Sequence, residues 1–225
     1  MKNIKSIFAL LLALSMTLAL VACGGKDEKP ADDKDQQQQT EQNTENKDEQ
    51  KPADEGEKTP AEPAEFNGKL QSPFLVSTCG QSPGAVMVNM VAVQAGLTSS
   101  SVNGLTAADL ADNADVKTLI VTTGTSGKGM GAAGTNVDEE IARCTELVKA
   151  AKDAGIFVVA AHVEGMQRRT DNADQASIDA MIEMADAILV IEESDSDSYF
   201  TDYATEHNLP IIKVKDSLGI AEYME

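Results

Sequence analysis

Short apolar runs alternate with amphipathic stretches from Phe74 to the C-terminus, and this alternation constrains the fold more than any other feature of the chain. The runs Leu119 to Val121 and Ala187 to Ile191 are entirely apolar, which is typical of strands that are buried on both faces. Strands that alternate with helices in this way form a parallel sheet with helices on both faces. We therefore predict a three-layer α/β domain, flavodoxin-like or Rossmann-like, with a mostly parallel sheet of about five or six strands.

The second predicted strand, near Thr98, differs from the others because its side chains are polar. Such a strand lacks the residues for burial on two faces and belongs at an edge of the sheet. An edge position favours the strand order 2-1-3-4-5-6 over the dinucleotide-binding order 3-2-1-4-5-6. A crevice then opens between the first and third strands, at the carboxyl ends of the strands.

The helix after the first strand has recognisable start and stop signals. Ser82 is the expected N-cap, Pro83 the first helical residue and Gly96 the terminator. The apolar residues that we assign to this helix are Val86, Met87, Met90 and Val91.

The first residues of the chain form a signal-peptide pattern. Lys2 and Lys5 precede a run from Ile7 to Val21 that is apolar apart from one Ser and one Thr. At about 15 residues, this run is shorter than the ~20 residues that a membrane-spanning helix needs. It ends in Leu20-Val21-Ala22-Cys23, which two glycines follow.

These residues resemble the lipobox of bacterial lipoproteins. The resemblance implies that the signal peptide, residues 1–22, is removed and that Cys23 receives a diacylglycerol whose acyl chains are of the palmitate kind. It also implies a protein that is anchored to the cell membrane and faces its extracytoplasmic side. Two or more acyl chains make such anchoring stable, because each buried methylene contributes about 0.8 kcal/mol.

The segment between the lipobox and the domain is acidic and has no aromatic or branched aliphatic residue from Lys26 to Glu65. Such a segment cannot bury enough apolar surface to offset its ordering entropy. We therefore predict a disordered tether over residues 23–67 and a single domain over residues 68–225. The formal net charge of −19 argues against nucleic acid as a partner.

Three unusual loops are predicted to meet at the crevice, because they follow the first, third and fourth strands, which are neighbours in the predicted order. They are Thr78 to Ser82, the glycine-rich stretch Gly124 to Gly134, and His162 to Arg169. Glycines expose backbone donors, and guanidinium groups suit carboxylate or phosphate oxygens, so a small anionic ligand is one hypothesis. Its candidate ligand-binding residues are Cys79, Gln81, Ser82, Ser126, Gly127, Lys128, Gly129, His162, Arg168 and Arg169.

The alternative is that the glycine-rich loop is only flexible and that the cations pair with neighbouring acids such as Glu164 and Asp171. No cofactor is predicted: the glycine stretch is not a P-loop, because Gly129 follows Lys128, and a dinucleotide fingerprint would follow the first strand. No metal site is predicted either, since helix capping accounts for most of the acids between Glu192 and Asp197.

Catalysis is a second hypothesis. Cys79, at the end of a strand and beside a helix N-terminus, could act as a nucleophile with His162 as its base, which would make the protein an envelope hydrolase. A small buried thiol is the commoner role for a cysteine at a strand end. Cys144 lies on the apolar face of its helix, and whether it pairs with Cys79 stays open.

The order of these motifs resembles an uncharacterised family of bacterial exported proteins, a domain of unknown function. The resemblance spans about residues 70 to 225 and is carried by Cys79-Gly80-Gln81-Ser82, the loop Ser126 to Gly134, and His162 to Arg169 with its arginine pair. Its most specific piece is the run from Lys128 to Gly134. The resemblance supports the fold and the crevice but implies no activity. Three functions stay open: binding of a small anion, hydrolysis, and docking of a protein partner.

Overall fold

A computed structural model describes residues 62–225, which form one α/β body. The predicted signal peptide, the predicted lipidation site Cys23 and most of the predicted tether lie outside the described residues. The sheet has six strands: β1 (Phe74–Thr78), β2 (Ser99–Ser101), β3 (Thr118–Thr122), β4 (Phe157–His162), β5 (Ala187–Ile191) and β6 (Ile211–Val214). All are parallel, and their order is β2-β1-β3-β4-β5-β6, which confirms the predicted topology.

The helices are α1 (Gly84–Gln94), α2 (Gly127–Ala133), α3 (Val137–Asp153), α4 (Asn172–Ile182) and α5 (Tyr199–His207). Single 3₁₀ segments occupy Ala108–Asn113, Met166–Arg168, Glu192–Asp195 and Ser217–Tyr223. The polarity of β2, a run of three serines, explains its edge position, since its residues remain partly exposed. Strands β3 and β5 are buried at every position, as their apolar sequences predict.

The two faces of the sheet carry two hydrophobic clusters. One cluster joins the sheet to α3, α4 and α5, and includes Leu147, Ile178 and Phe200. The other joins it to α1 and to the last 3₁₀ segment, and includes Val88 and Ile220. The described residues thus form three layers, which is the predicted architecture.

Helix α1 differs from its prediction in two respects. It begins at Gly84 with Pro83 in the capping position, and the hydroxyl of Ser82 instead lies 3.2 Å from that of Thr78. Its buried residues include Val88 and Val91, whereas Val86 and Met90 face outwards. Asn89 and Gln94 are the only polar side chains of this helix, so its sequence period could not identify the face that meets the sheet.

The glycine-rich stretch is the largest departure from the expected local structure, because most of it is helix α2 and not a loop. Ser126 caps the helix by accepting a hydrogen bond from Gly129 N at 3.1 Å. Gly134 ends it in a left-handed conformation, with φ of 71°. Two ordinary capping signals therefore outweigh the low helix propensity of glycine over these seven residues.

Residues before Gly68 already contact the body of the domain. Ala64 O accepts a hydrogen bond from Ile211 N at 3.0 Å, and Phe66 packs against the cluster that includes α1. Leu70 forms a parallel bridge with Met224, in which Leu70 N donates to Tyr223 O and Glu225 N donates to Leu70 O. Contacts with the sheet thus begin a few residues before the predicted domain start. Within the described residues, no helix is long and apolar enough to cross a membrane.

Candidate functional site

The loops after β1, β3 and β4 meet at the carboxyl edge of the sheet, as the topology predicts. Gln81 and Thr125 form an antiparallel bridge between the first two loops, and Ser126 N donates to Gly80 O at 2.8 Å. The third loop joins them through Arg168, whose guanidinium donates to Thr125 O at 2.7 Å. The predicted site residues are therefore neighbours, and their contacts decide whether a ligand could use them.

The glycines of these loops allow the loops to touch one another. A Cβ on Gly129 would clash with Gln81 O, and one on Gly124 would lie 2.7 Å from the Cβ of Arg168. Gly80 has a φ of +122° and would clash with Gly124 O. Close approach of backbone is the reason for glycine at these positions. The approaching group is another loop of the same chain.

The first loop is held by a buried ion pair from α3. Glu140 accepts hydrogen bonds from Gly80 N at 3.2 Å and from the side-chain amide of Gln81 at 3.0 Å. Arg143 pairs with Glu140 at 2.7 Å and donates to the carbonyls of Thr78 and Leu105, both at 2.6 Å. The pair fixes the loop after β1 to α3.

The N-terminus of α1, where an anionic ligand would be favoured, is occupied by Glu164. One of its carboxylate oxygens accepts from Gly84 N at 2.8 Å, and the other pairs with Arg168 Nε at 3.0 Å. Backbone donors at a helix start attract anions, and here the anion is a side chain of the domain itself.

Asp174 of α4 holds the second loop in the same manner. It accepts hydrogen bonds from the backbone and the hydroxyl of Thr125, both at 2.7 Å, and from Thr170 N at 3.0 Å. Burial would raise the pKa of Asp174, but the hydrogen bonds from Thr170 and Thr125 outweigh it and hold the pKa below its usual range.

The acidic stretch after β5 has a comparable anchor. Asp195 is buried, accepts from Phe200 N at 2.8 Å at the start of α5, and pairs with Lys213 at 2.9 Å. Asp195 thus accepts hydrogen bonds from backbone amides in the first turn of α5, although the residue at the N-cap position is Ser198 and not Asp195 or Ser196. Within residues 62–225, no cluster of three or more His, Cys, Asp or Glu side chains could hold a metal ion.

Arg169 and Lys128 complete the set of predicted cations. Arg169 is only 7% exposed, pairs with Asp197 at 2.7 Å, donates to Ser194 O at 3.1 Å, and lies 4.6 Å from the centre of the Tyr199 ring. It therefore packs beside α5 and away from the glycine stretch. Lys128 and Gly127 are exposed on α2. The structure thus differs from the expected cluster of three cations around one pocket, because Arg168 and Arg169 each pair with a neighbouring carboxylate.

Cys79 and His162 are both buried and have no hydrogen bond to each other in the described structure. The ring nitrogens of His162 lie 3.0 Å from Thr123 Oγ1 and 3.3 Å from Gly165 O, and its ring stacks on Phe200. Burial lowers the pKa of His162 to about 4. His162 is therefore neutral at neutral pH, but both of its nitrogens already have partners.

Cys79 contacts Cys144, and neither thiol reaches the surface. The hydrogen bond between the two side chains lowers the pKa of Cys79, while the same contact and burial raise the pKa of Cys144. A nucleophile has to meet its substrate, and Cys79 is fully buried. The expected nucleophile follows β1 and the expected base ends β4, and β3 lies between these two strands, so the two residues do not form a catalytic pair.

Sequence reasoning missed three residues that organise this edge: Glu140, Arg143 and Asp174. Arg143 and Glu140 lie three positions apart on α3, a spacing that could have indicated an ion pair. Asp171 caps α4, because its side chain accepts hydrogen bonds from Ala173 N and Asp174 N. The position of Asp174, three residues after this cap, was the only sequence signal that placed it in the first turn of α4. Neither signal identifies the distant loops that these side chains bind.

Together, the fold and this edge define a flavodoxin-like α/β domain whose strand-end loops are joined by its own buried carboxylates. The chain belongs to the family described as Domain of unknown function (DUF6305), which matches residues 71–225. This match confirms the resemblance to an uncharacterised family.

Comparisons with other proteins supply no activity. A search of curated proteins finds no significant match. Among solved structures, the chain is similar to the psychrotrophic esterase EstA from Pseudoalteromonas sp., with 12% identity, 63% of this chain and 77% of that chain covered, and a TM-score of 0.34. It is also similar to a GDSL-like lipase from Bacteroides thetaiotaomicron, with 11% identity and a TM-score of 0.32. That similarity covers 62% of this chain and 66% of the lipase chain. These values are too low to carry an argument about activity.

Proposed function

We propose that the domain is a protein-interaction module that binds a partner protein through the outer face of α1. The observation that supports this is a row of exposed apolar side chains on that helix. Val86, Met90 and Val93 are 45%, 54% and 52% exposed, and their spacing of four and three residues places them on one face. A helix with so few polar residues is normally buried, so this outer face is the part of the helix that a partner would cover.

The charge pattern favours the same surface. No Asp, Glu, Lys or Arg occurs between Lys69 and Asp109, although the chain carries a formal net charge of −19. Interface centres are depleted of charged residues and enriched in Met, because charges are costly to remove from water. We infer a partner with an apolar contact surface and basic surroundings, since the acidic domain would repel an acidic one.

Binding of a small anion at the strand-end loops has weaker support. A ligand there would have to displace Glu164 from Arg168 or Asp197 from Arg169, and both ion pairs have good geometry. Hydrolysis through Cys79 lacks an exposed nucleophile. The third hypothesis from the sequence, partner docking, is therefore the one that the geometry favours.

We also propose that the domain is displayed from the outer side of the cell membrane by a lipid on Cys23. The part of the predicted tether that precedes the described residues, 23–61, would have a coil span of roughly 31–37 Å, which would let α1 reach partners beside the membrane. Cys23→Ala should therefore abolish incorporation of a labelled fatty acid and release the protein from membranes, with thermal unfolding of the domain unchanged. Labelling that persists in the variant would contradict the anchor.

In-cell photo-crosslinking tests the docking surface. A benzophenone amino acid is placed at position 86, 90 or 93 of the full chain in its native host, and at position 149 as a control. Lys149 is exposed on α3, which packs on the other face of the sheet. We expect one shared protein adduct from the three α1 positions and none from position 149.

The identity of the adduct separates the alternatives. Mass spectrometry should identify the same partner at all three α1 positions, and the purified partner should bind the wild-type chain but bind Met90→Asp at least tenfold more weakly. The proposal fails if the α1 positions yield no adduct, yield the adduct of the control position, or crosslink only to lipid.

A further inference from the structure

We propose that a cavity at the amino edge of the sheet, opposite the strand-end loops, binds a small amphipathic anion with an apolar body and one acidic group. This site is independent of the α1 surface. The cavity has a volume of about 420 Å³ and lies where the chain before β1 crosses the starts of β3 and β4. Its size falls in the range of small-molecule sites.

The wall of the cavity is apolar and aromatic. Phe66 and Phe157 lie on it with ring centroids 6.0 Å apart and tilted by 49°, and Leu70 lies beside them. Phe66 is held there because Ala64 and Leu70, on either side of it, are hydrogen-bonded to Ile211 and to the C-terminal residues. An apolar ligand body could therefore bind against groups that the fold already holds in place, which lowers the cost of ordering them.

The charges at the cavity are opposite in sign to those of the domain as a whole. Lys69 and Lys117 belong to its lining, and no Asp or Glu does among the residues described. The ammonium group of Lys117 is exposed and makes no hydrogen bond or ion pair within residues 62–225, whereas that of Lys69 donates to Glu222 O. A cation beside an aromatic wall fits a carboxylate or sulfonate that is attached to an apolar body.

The strand-end loops, where ligands of such sheets usually bind, are joined to one another by buried carboxylates. The amino edge has no comparable set of acids in its cavity. The two edges thus differ in the acids beside their cations: Glu164 and Asp197 pair with Arg168 and Arg169 at the carboxyl edge, whereas no Asp or Glu lines the cavity at the amino edge.

Two fluorescent probes test the site on the full chain. One is 1-anilinonaphthalene-8-sulfonate, which has an aromatic body and a sulfonate, and the other is N-phenyl-1-naphthylamine, which has the same aromatic body without the charge. We expect saturable binding of both to the wild type. Lys117→Gln should raise the Kd of the sulfonate about tenfold, through loss of one charge-assisted contact, and change that of the amine less than twofold.

Lys128→Gln is the matched control, because it removes an exposed lysine at the opposite edge of the sheet and should leave both Kd values unchanged. Phe66→Ala should weaken both probes, and thermal melts check that each variant is folded. The proposal is overturned if the wild type binds neither probe, if Lys128→Gln weakens the sulfonate as much as Lys117→Gln does, or if Met90→Asp removes binding while Lys117→Gln leaves it intact.

Discussion

Arg143→Met is expected to lower the free energy of unfolding by about 3–5 kcal/mol, the largest effect of any single substitution considered at the carboxyl edge. The substitution removes the partner of the buried Glu140 and leaves its carboxylate without the guanidinium that compensates it. It also removes the donors to the carbonyls of Thr78 and Leu105. Urea unfolding followed by circular dichroism measures the change.

Two controls separate this buried pair from ordinary surface charge. The double variant Glu140→Gln, Arg143→Met should recover part of the loss, because it removes the uncompensated charge. Lys152→Met breaks the half-exposed pair with Asp186 and should cost less than about 1 kcal/mol. If Arg143→Met lowers the free energy of unfolding no more than Lys152→Met does, Arg143 does not compensate the buried charge of Glu140.

Acid should destabilise the domain well above the range in which carboxylates titrate, and His162 is the reason. In the folded domain, burial lowers the pKa of His162 to about 4, from a usual value of 6.5. As the pH falls below 6.5, the unfolded chain binds a proton at this side chain while the folded domain does not. The free energy of unfolding therefore has its full value well above pH 6.5, and at pH 4.5 it should be lower by about 2–3 kcal/mol.

The two histidines of the chain provide a matched comparison. His162→Gln should give a free energy of unfolding that is lower at pH 7 but nearly flat between pH 6.5 and 4.5. His207→Gln removes an exposed histidine and should leave the slope of the wild type intact. A wild-type slope that survives His162→Gln would show that another group causes the acid sensitivity.

The topology could be predicted from the sequence because it depends on composition strand by strand. The polar β2 had to lie at an edge, and the apolar β3 and β5 had to lie inside, so the strand order followed. The convergence of the loops followed in turn, because neighbouring parallel strands end at one edge.

The roles of the loop residues could not be predicted, because they depend on partners that are distant in the chain. Glu164 binds the backbone of Gly84, 80 residues away, and Asp174 binds Thr125, 49 residues away. When these contacts are not known, a glycine-rich stretch beside two arginines resembles an anion site. The contacts show that these glycines instead allow other loops of the domain to approach closely.

The exposed outer face of α1 could not be predicted from the sequence, because apolar residues occupy most positions of this helix. Val86, Met90 and Val91 are all apolar, and two polar residues in the helix are too few to give a period from which its core face could be chosen. Only the structure distinguishes the buried Val91 from the exposed Val86 and Met90.

The central claim is that the domain acts through α1 and not through the strand-end loops, and one crosslinking measurement compares the two surfaces directly. The benzophenone probe at position 86 is combined either with Met90→Asp on α1 or with Lys128→Glu at the loops. We predict that Met90→Asp abolishes the protein adduct and that Lys128→Glu leaves its yield within twofold of the parent chain. An adduct that persists in Met90→Asp and disappears in Lys128→Glu would contradict the claim and assign the binding site to the loops.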